Sequence, residues 1–296
     1  MIETAEEPRP AMLLTGIDTM LAPYIAEEFK DWEITGLRTG ELPAGEKRYE
    51  LVVHAATSRG DDAEAVNLEG TRKLMEALDA RLPEAFVFIS DVAVYGRKDG
   101  ENLDESTPTW ASDEYGRSLA LAEGLLRDRA LEKGVRLTIL RPALIMGRGV
   151  SGFAADMFRS VVSANYIHLR GNNARLSLVM ADDVAKAVRL AYPRGGTYNL
   201  ADGVNPTLRQ LAEAMSANAG ATRRPVHLPE KWAMLLYRIT RRLGMRWKAL
   251  EFALDERTRT TLTYSGEAFA GRFNFKYYNA LDVTAHRCSD YPYRDK

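Results

Sequence analysis

Short apolar runs alternate with longer segments of helical spacing along the first half of the chain. A strand inside a parallel sheet is buried on both faces, whereas a surface helix is apolar along one stripe, so the runs predict strands and the segments predict helices. The predicted strands are Ala11–Thr15, Glu33–Leu37, Glu50–His54, Ala85–Ser90 and Val135–Leu140. The predicted helices are Leu21–Lys30, Val66–Leu78 and Glu114–Lys133. This alternation predicts right-handed crossovers and an α/β fold with a doubly wound, mostly parallel sheet.

The pattern is looser in the second half of the chain. Asp183–Tyr192 has helical spacing, Gly196–Leu200 predicts a short strand, and Thr207–Ala219 predicts a helix that Thr207 caps. The segment Pro225–Leu254 is aromatic and basic, and we expect it to be helical. The sequence shows no internal repeat and no low-complexity tract. The simplest arrangement is therefore one compact unit with a smaller C-terminal lobe.

The composition narrows the class of protein. With 296 residues, of which 46% are apolar and 27% charged, the chain can bury a sizeable core in one large domain or a domain and a half. The net charge of −1 gives no electrostatic reason to expect nucleic acid or an anionic membrane as a partner. The single cysteine, Cys288, excludes an intrachain disulfide and suits a reducing compartment. Met1–Pro10 lacks the pattern of a secretory signal, and no run of about 18 apolar residues predicts a membrane span, so we expect a cytoplasmic location.

Ten short segments follow one another in an order that is more informative than any one of them. They are Leu14–Gly16, Val53–Ala56, Val66–Thr71, Phe88–Gly96, Leu103–Pro108, Tyr115–Ser118, Leu140–Ala143, Gly147–Gly149, Val179–Ala185 and Thr197–Leu200. The ordered set resembles the extended short-chain dehydrogenase/reductase family, also called NAD-dependent epimerase/dehydratases, over nearly the whole chain. The resemblance implies a Rossmann-type fold with an N-terminal extension in residues 1–10 and a dinucleotide-binding region in residues 11–150. Residues 151–296 are then expected to supply the remaining sheet elements and a C-terminal substrate lobe that does not fold independently.

The subfamily is open between two patterns. Leu262–Ser265, Phe273–Phe275 and Tyr291–Pro292 resemble the C-terminal pattern of the 3β-hydroxysteroid dehydrogenase and dihydroflavonol reductase branch. Only about a dozen residues separate Arg38 from the strand at Leu51, and that shortening is similar to the dTDP-4-dehydrorhamnose reductases.

The turn after the first strand carries three glycines in this family, which let the backbone approach the diphosphate of a dinucleotide. Here the three positions are Gly16, Thr19 and Ala22, and Asp18 adds a negative charge beside the expected phosphates. Arg38 lies near the position of the family's ribose-binding acid, so that any bound dinucleotide is expected to be NADP in preference to NAD. The resemblance implies the cofactor-binding residues Gly16, Asp18, Thr19, Met20, Leu21, Arg38, His54, Ala55, Ala56 and Pro142.

The family's active site pairs a tyrosine with a lysine four residues later on one face of the long central helix. The lysine lowers the pKa of the tyrosine and holds the nicotinamide ribose, and the tyrosine moves the proton of the substrate hydroxyl. Tyr115 is present, but Leu119 occupies the lysine position. A phenol with a pKa near its reference value of about 10 stays protonated at pH 7. Arg117 is expected to point away from that face.

The family's third catalytic position, a serine or threonine that orients the substrate carbonyl, is also changed. It corresponds to Asp91, whose carboxylate is expected to repel a developing alkoxide and to raise the pKa of Tyr115. The hydroxyl of the preceding residue, Ser90, is expected to point elsewhere. Tyr115, Asp91 and Ser90 are therefore the candidate catalytic residues.

These departures lead to one hypothesis with two alternatives. The hypothesis is that the protein keeps the family's scaffold, has lost its usual redox chemistry, and binds a small molecule or a partner in the family's cleft. The first alternative is an active NADP-dependent reductase or nucleotide-sugar epimerase/dehydratase in which Tyr115 acts with Asp91 or an ordered water. The second is a structural or assembly subunit. As in many relatives, the helices Val66–Leu78 and Glu114–Lys133 are expected to form a homodimer contact.

Several other features have a plainer interpretation. His54 is expected to be structural, and the scattered histidines predict no metal site. The resemblance implies that Asp182 and Asp183 form a helix-capping turn, with a pair of metal ligands as the alternative. The basic and aromatic stretch Tyr237–Trp247 is interpreted as a solvated helix, with contact to a membrane surface or an anionic partner as the alternative.

Overall fold

The computed structural model describes residues 9–163, 165–219 and 226–286. The chain divides into two compact units that alternate along the sequence. The first, named the sheet unit, comprises Met1–Gly96, Pro108–Pro142 and Asp182–Tyr198, and the second unit comprises Arg97–Thr107, Ala143–Ala181 and Asn199–Lys296. Most of the expected N-terminal extension, Cys288 and the Tyr291–Pro292 pattern lie outside the described residues.

The described residues form twelve strands and ten α-helices. In chain order, the strands are β1 Ala11–Thr15, β2 Glu33–Leu37, β3 Leu51–His54, β4 Ala85–Ile89, β5 Gly100–Leu103, β6 Arg136–Pro142, β7 Leu144–Met146, β8 Ile167–Leu169, β9 Leu178–Met180, β10 Gly196–Leu200, β11 Val226–Leu228 and β12 Leu262–Tyr264. The helices are α1 Ala22–Glu28, α2 Thr71–Leu78, α3 Glu114–Lys133, α4 Gly152–Val162, α5 Ala181–Ala191, α6 Leu208–Asn218, α7 Glu230–Arg242, α8 Lys248–Ala253, α9 Glu267–Phe273 and α10 Ala280–His286.

The sheet unit is built on a six-stranded sheet in the order β10-β6-β4-β3-β1-β2. Adjacent strands from β2 to β6 pair in parallel, with Thr15 opposite His54 and His54 opposite Phe88. Every residue of β3 and β4 is buried, as expected for central strands covered by helices on both faces. The predicted Rossmann-type, mostly parallel sheet is thus confirmed. The chain order reverses at β1 and β3, which is where an open α/β sheet binds its ligands.

The helices of the sheet unit begin and end where local chemistry dictates. Asp113 caps α3 by accepting a hydrogen bond from the backbone N–H of Gly116, 2.9 Å away, and the helix ends at Gly134 in the left-handed conformation. The predicted helix from Val66 is less regular than expected, because a π-helical turn, Glu64–Gly70, leads into α2. Residues 38–50, all described, connect β2 to β3 with no helix or strand between them, in agreement with the predicted short connection.

The second unit combines short parallel strand pairs with helices. β5 pairs with β12, β7 with β9, and β8 with β11. Thr207 caps α6 as predicted, through a capping box with Gln210. Of the segment Pro225–Leu254, which was expected to be helical, α7 and α8 are helices, whereas β11 is a strand and Pro225 lies outside the described residues. Pro229 precedes α7, and Gly244 breaks the segment in the left-handed conformation.

Strands of three residues account for most of the elements that the sequence analysis did not predict. β7, β8, β9, β11 and β12 are each too short to show a period of two, and β5 is a mixed sequence of four residues. Among the described helices, none combines the length and apolar character needed to cross a bilayer.

The backbone of Gly16, after β1, lies close to the backbone of Ala56, after β3, and a substitution at Gly16 tests this contact. Its φ is +76°, and a β-carbon there would lie 2.6 Å from the backbone nitrogen of Ala56. Gly40 has a similar φ of +86° with open space around it. We expect Gly16→Ala to lower the free energy of unfolding by at least about 2 kcal/mol and Gly40→Ala by about 1 kcal/mol, because only the first adds a backbone clash to the conformational strain. Urea unfolding of both variants measures the difference, and equal losses would contradict the close approach.

Candidate functional site

The sequence-predicted site residues gather at the carboxyl ends of adjacent parallel strands in the sheet unit. Gly16 follows β1, Ala55 and Ala56 follow β3, Asp91 comes shortly after β4, and Pro142 ends β6. β1 and β3 flank the point at which the strand order reverses. The sheet therefore brings residues from four separate segments of the chain to its ligand-binding edge.

The turn after β1 retains a shape that suits a diphosphate despite its altered glycine positions. The hydroxyl of Thr19 folds back and donates to the carbonyl oxygen of Gly16 at 2.7 Å. The backbone N–H of Ile17 donates to the carbonyl oxygen of Leu37. Those of Thr19 and Ala22 donate to carbonyl oxygens within the turn. Within the described residues, the amides of Met20 and Leu21 have no backbone or side-chain acceptor, so they are the donors that a diphosphate could use.

Asp18 joins the turn after β1 to the turn after β2. Its carboxylate accepts hydrogen bonds from the backbone N–H and from the hydroxyl of Thr39, both at 2.9 Å. These hydrogen bonds lower the pKa of Asp18, with a smaller contribution from the positive charge of Arg38. Arg38 is exposed, and its backbone N–H donates to Glu41 at 2.7 Å. The negative charge expected at Asp18 is thus present, but Thr39 holds the carboxylate.

His54 lies inside the core of the sheet unit. Its Nε2 is 2.9 Å from the hydroxyl of Thr71, and its Nδ1 is 2.6 Å from that of Thr15. Because Thr71 donates its own proton to the carbonyl oxygen of Asn67, Nε2 of His54 donates and Nδ1 accepts. Burial lowers the pKa of His54 to about 4, so the ring is neutral at pH 7. Both ring nitrogens bond to core hydroxyls, in keeping with the structural role expected for it.

Asp91 accepts hydrogen bonds through both carboxylate oxygens. Oδ1 accepts from the backbone N–H of Ala93 at 2.7 Å and caps the short 3₁₀ helix Val92–Tyr95. Oδ2 accepts from the Arg59 guanidinium at 2.5 Å and from the Tyr115 hydroxyl at 3.2 Å. The Arg59 guanidinium also stacks on the Tyr115 ring, 4.1 Å from its centroid. Arg59, Asp91 and Tyr115 form one cluster, named here the tyrosine cluster.

The environment of the tyrosine cluster keeps the phenol protonated. Burial raises the pKa of Tyr115 well above its ordinary value, and the negative charge of Asp91 raises it further. The positive charge of Arg59 acts in the opposite direction without reversing the shift. The effect of Asp91 has the direction that the sequence analysis expected.

Asn67 fixes the loop that carries Arg59. Its side-chain amide accepts from the backbone N–H of Ser58 at 2.8 Å and donates to the carbonyl oxygen of the same residue at 2.9 Å. The amide also donates to the hydroxyl of Ser118, which in turn donates to the carbonyl oxygen of Tyr115. This fully buried asparagine therefore joins the loop after β3 to the first turn of α3.

The position of the family's lysine is apolar and enclosed. Leu119 lies one helical turn after Tyr115 on α3 and is fully buried. Arg117 is directed to Glu64, with 3.5 Å between Nη2 and Oε2, and takes no part in the tyrosine cluster. The cation that contacts Tyr115 comes instead from Arg59, in a different loop.

Ser90 belongs to a separate, buried network. Its hydroxyl donates to Oε1 of Glu123 at 2.7 Å, and the same carboxylate accepts two hydrogen bonds from the guanidinium of Arg141, at 2.9 and 2.5 Å. Arg141 also donates to the hydroxyl of Tyr95 at 2.9 Å. The structure thus brings Asp91 and Tyr115 together and turns the Ser90 hydroxyl away from them into the core. Among the described residues, no group of three His, Cys, Asp or Glu side chains could hold a metal ion.

Comparison with known proteins identifies the family of the chain. A model of the NAD-dependent epimerase/dehydratase family matches residues 13–201. The chain belongs to this family. It is 24% identical over 223 residues to an N-acetyl-α-D-glucosaminyl-diphospho-ditrans,octacis-undecaprenol 4-epimerase of Escherichia coli O157:H7, a match that covers 73% of the chain and 65% of that protein. The chain spans about half to about two thirds of the length of two curated relatives that it matches.

Solved structures of the family share the fold. One is a UDP-glucose 4-epimerase from Thermus thermophilus in complex with NAD, with a TM-score of 0.70, 20% identity, and coverage of 94% of this chain and 98% of that one. Another is RMD from Pseudomonas aeruginosa in complex with NADPH, with a TM-score of 0.71, 16% identity, and coverage of 95% and 98%. At these identities the likeness extends to the fold alone.

The turn after β1 fits a dinucleotide of the kind that family members bind. Gly16 adopts the left-handed conformation against Ala56, the Thr19 hydroxyl is folded onto the turn, and the amides of Met20 and Leu21 are available to an anion. When bound, such a cofactor supplies hydride transfer. The residues that would hold its diphosphate are those of the turn.

The sequence analysis did not predict the residues that link the separate segments of the candidate site. Arg59 lies in an irregular loop, 32 residues from Asp91, and no spacing rule links the two positions. Asn67 and Glu123 could have been suspected, since a polar residue at an inward position of a helical pattern usually has a buried partner.

Because His54 is buried and neutral, we expect the free energy of unfolding to fall in acid. Its pKa is about 4 when folded and about 6.5 when unfolded, so protons bind preferentially to the unfolded chain. The stabilisation is complete above about pH 6.5 and is lost as the pH falls towards 4. Between about pH 7.5 and pH 5 we expect the wild type to lose about 2 kcal/mol more of its free energy of unfolding than His54→Gln. Urea unfolding across this range measures the difference.

His227→Gln, which removes an exposed histidine of β11 and keeps His54, is the control and should retain the extra acid loss that His54→Gln removes. The same acid loss in His54→Gln as in the wild type would contradict the assignment.

The tyrosine cluster predicts how the Tyr115 phenol titrates. Asp91→Asn removes a negative charge and should lower the pKa of Tyr115, whereas Arg59→Gln removes a positive charge and should raise it. NMR titration of ring-labelled tyrosine, assigned with Tyr115→Phe, measures both shifts. Arg117→Gln should leave the signal unchanged, because Arg117 pairs with Glu64. If the pKa of Tyr115 is the same in the wild type, Asp91→Asn and Arg59→Gln, the tyrosine cluster does not exist in solution.

Proposed function

We propose that the protein binds a dinucleotide and a small-molecule ligand at the carboxyl ends of the sheet strands and does not carry out the family's usual hydride transfer with proton relay. The observation that carries this proposal is the tyrosine cluster, in which burial and, next to it, the charge of Asp91 raise the pKa of Tyr115 while Leu119 fills the lysine position. The proposed role is that of a binding protein on an enzyme scaffold.

The physical argument concerns the proton of the substrate hydroxyl. A relay needs a phenol that can release its proton, and with a pKa above about 10 fewer than about one phenol in a thousand is ionised at pH 7. An alkoxide forming at the substrate would also face the carboxylate of Asp91, which accepts the phenol's hydrogen bond at 3.2 Å. Both effects disfavour the family's reaction at this site.

The proposed cofactor is NADP or NAD, and the proposed ligand class is a sugar joined to a diphosphate. The free amides of Met20 and Leu21 support the first, because they can donate to phosphate oxygens. The names of relatives support the second, since the Escherichia coli protein acts on a diphosphate-linked amino sugar and the Thermus protein on UDP-glucose. Exposed Arg38 next to the turn favours the extra phosphate of NADP.

A second candidate function is supported by the position of Arg59. Its guanidinium lies 4.1 Å from the centroid of the Tyr115 ring and partly offsets the rise in the pKa of the phenol. In an active NADP-dependent reductase or nucleotide-sugar epimerase/dehydratase, Arg59 would supply the positive charge of the missing lysine. Tyr115 would accept the proton of the substrate hydroxyl as it passes its own proton to Oδ2 of Asp91.

We also infer a homodimer formed through α2 and α3. The two helices pack against each other within the sheet unit, and Leu121 and Leu131 of α3 are exposed, the latter to 87%. Exposed leucines on a long helix are suited to contact with a second copy.

The two candidate functions predict opposite results with the same set of variants. The wild type should bind NADP or NAD in calorimetry, yet interconvert UDP-glucose and UDP-galactose, or their N-acetylated counterparts, no faster than Tyr115→Phe. Turnover in the wild type that is lost in Tyr115→Phe and in Arg59→Gln but kept in Arg117→Gln would contradict the first proposal and support the second. Absence of dinucleotide binding would contradict both.

A further inference from the structure

Helix α7 has two apolar faces, and the second unit uses only one of them. Ala233, Leu236 and Tyr237 face inward and pack on a cluster that contains Ile167, Leu169, Ala249 and Leu250 of β8 and α8. Ala233 is fully buried. This face accounts for the attachment of the helix to the unit.

The other apolar face is open to solvent. Trp232, Leu235 and Ile239 are spaced at i, i+3 and i+7, so they form one stripe along the helix. Trp232 is 59% exposed, and the stripe is continued by exposed Leu243, Met245 and Trp247 in the turn that follows. A row of six large apolar side chains is unusual on a surface that meets only water.

Positive charge surrounds this stripe. Residues 226–248 hold six basic side chains and one acidic side chain, although the net charge of the whole chain is only −1. The acidic one, Glu230, is already paired with Arg259, and Arg246 is paired with Glu251. The other five basic residues have no salt-bridge partner in the part of the chain that the structure describes: Lys231, Arg238, Arg241, Arg242 and Lys248.

We propose that this face of α7, continued to Trp247, binds the surface of an anionic lipid bilayer. Large apolar side chains with tryptophans at both ends of the stripe can enter the boundary between headgroups and acyl chains, while lysines and arginines beside them contact acidic headgroups. With 13 residues, α7 is about 20 Å long, which is too short to cross a hydrocarbon core of about 30 Å. The helix therefore lies along the membrane surface.

The positive charge around the stripe argues against a second copy of the chain as the molecule that covers this face of α7. A symmetric contact between two copies of the chain places the same patch on both sides, which would bring together two sets of unpaired basic residues. Their repulsion opposes such a contact, whereas acidic lipids neutralise the same charges. This inference concerns the second unit alone and does not depend on the proposed function of the sheet unit.

Sedimentation of the full chain with lipid vesicles tests the proposal. We expect the protein to sediment with vesicles of phosphatidylcholine and phosphatidylserine at least about tenfold more strongly than with phosphatidylcholine alone, and to be released by high salt. The tryptophan fluorescence should shift to the blue on binding, as Trp232 and Trp247 leave water. Sedimentation that is absent, or equal with neutral and anionic vesicles, would overturn the proposal.

Two variants separate the apolar and electrostatic contributions. Trp232→Ser/Leu235→Ser/Ile239→Ser should reduce both the fluorescence shift and, at least about tenfold, the binding, and Arg238→Gln/Arg242→Gln should reduce binding by a similar factor. All five residues are exposed, so circular dichroism and the melting temperature should remain close to those of the wild type.

The matched controls are Leu42→Ser/Trp110→Ser, which removes exposed apolar residues of the sheet unit outside α2 and α3, and Arg272→Gln/Lys276→Gln, which removes exposed charges of α9 and the segment after it. Both controls should bind vesicles like the wild type, and a loss equal to that of the α7 variants would contradict a specific surface. Ultracentrifugation adds a further outcome. If the triple serine variant falls from dimer to monomer, a second copy covers this face and the membrane proposal is wrong.

Discussion

The carboxylate of Asp91 is the charge around which the candidate site is arranged. One oxygen caps the short 3₁₀ helix that leads away from β4, and the other is shared by a guanidinium and a phenol. Because the first oxygen is held by backbone, the carboxylate cannot rotate freely to meet a ligand. Arg59 and Tyr115 both contact the other oxygen, and the charge of Asp91 adds to the effect of burial in raising the pKa of Tyr115.

A second ionic group is hydrogen-bonded to Ser90, the residue before Asp91, and has a structural role. The side chains of Glu123 and Arg141 are almost completely enclosed, and in the described part of the chain they form hydrogen bonds with Ser90, Tyr95, Arg127 and each other. Breaking such a pair typically costs several kcal/mol, since it leaves one charge buried and unpaired. The pair joins α3 to the ends of β4 and β6. It thereby fixes the backbone from which Asp91 and Tyr115 extend.

Much of the sheet unit could be predicted from the sequence, because its signals are long and local. β1, β2 and α3 have the predicted bounds, and the cap at Thr207 has the expected partner in Gln210. The three-residue strands were missed, since so short a run carries no period. Arg59 was missed for another reason: its contacts to Asp91 and Tyr115 depend on the folded chain alone. The net charge of the chain likewise concealed the local excess of positive charge around α7, because an average over 296 residues cancels it.

The link between Asp18 and Thr39 has a consequence for how a ligand is received. Two loops that follow different strands are joined by a pair of hydrogen bonds to one carboxylate, so they form a single ordered surface before any ligand arrives. A molecule that binds there does not have to immobilise two independent segments, and less conformational entropy is lost on association. Asp18 therefore has two opposing effects. Its negative charge is unfavourable next to a phosphate, but its hydrogen bonds to Thr39 make the two loops that would contact the phosphate more rigid.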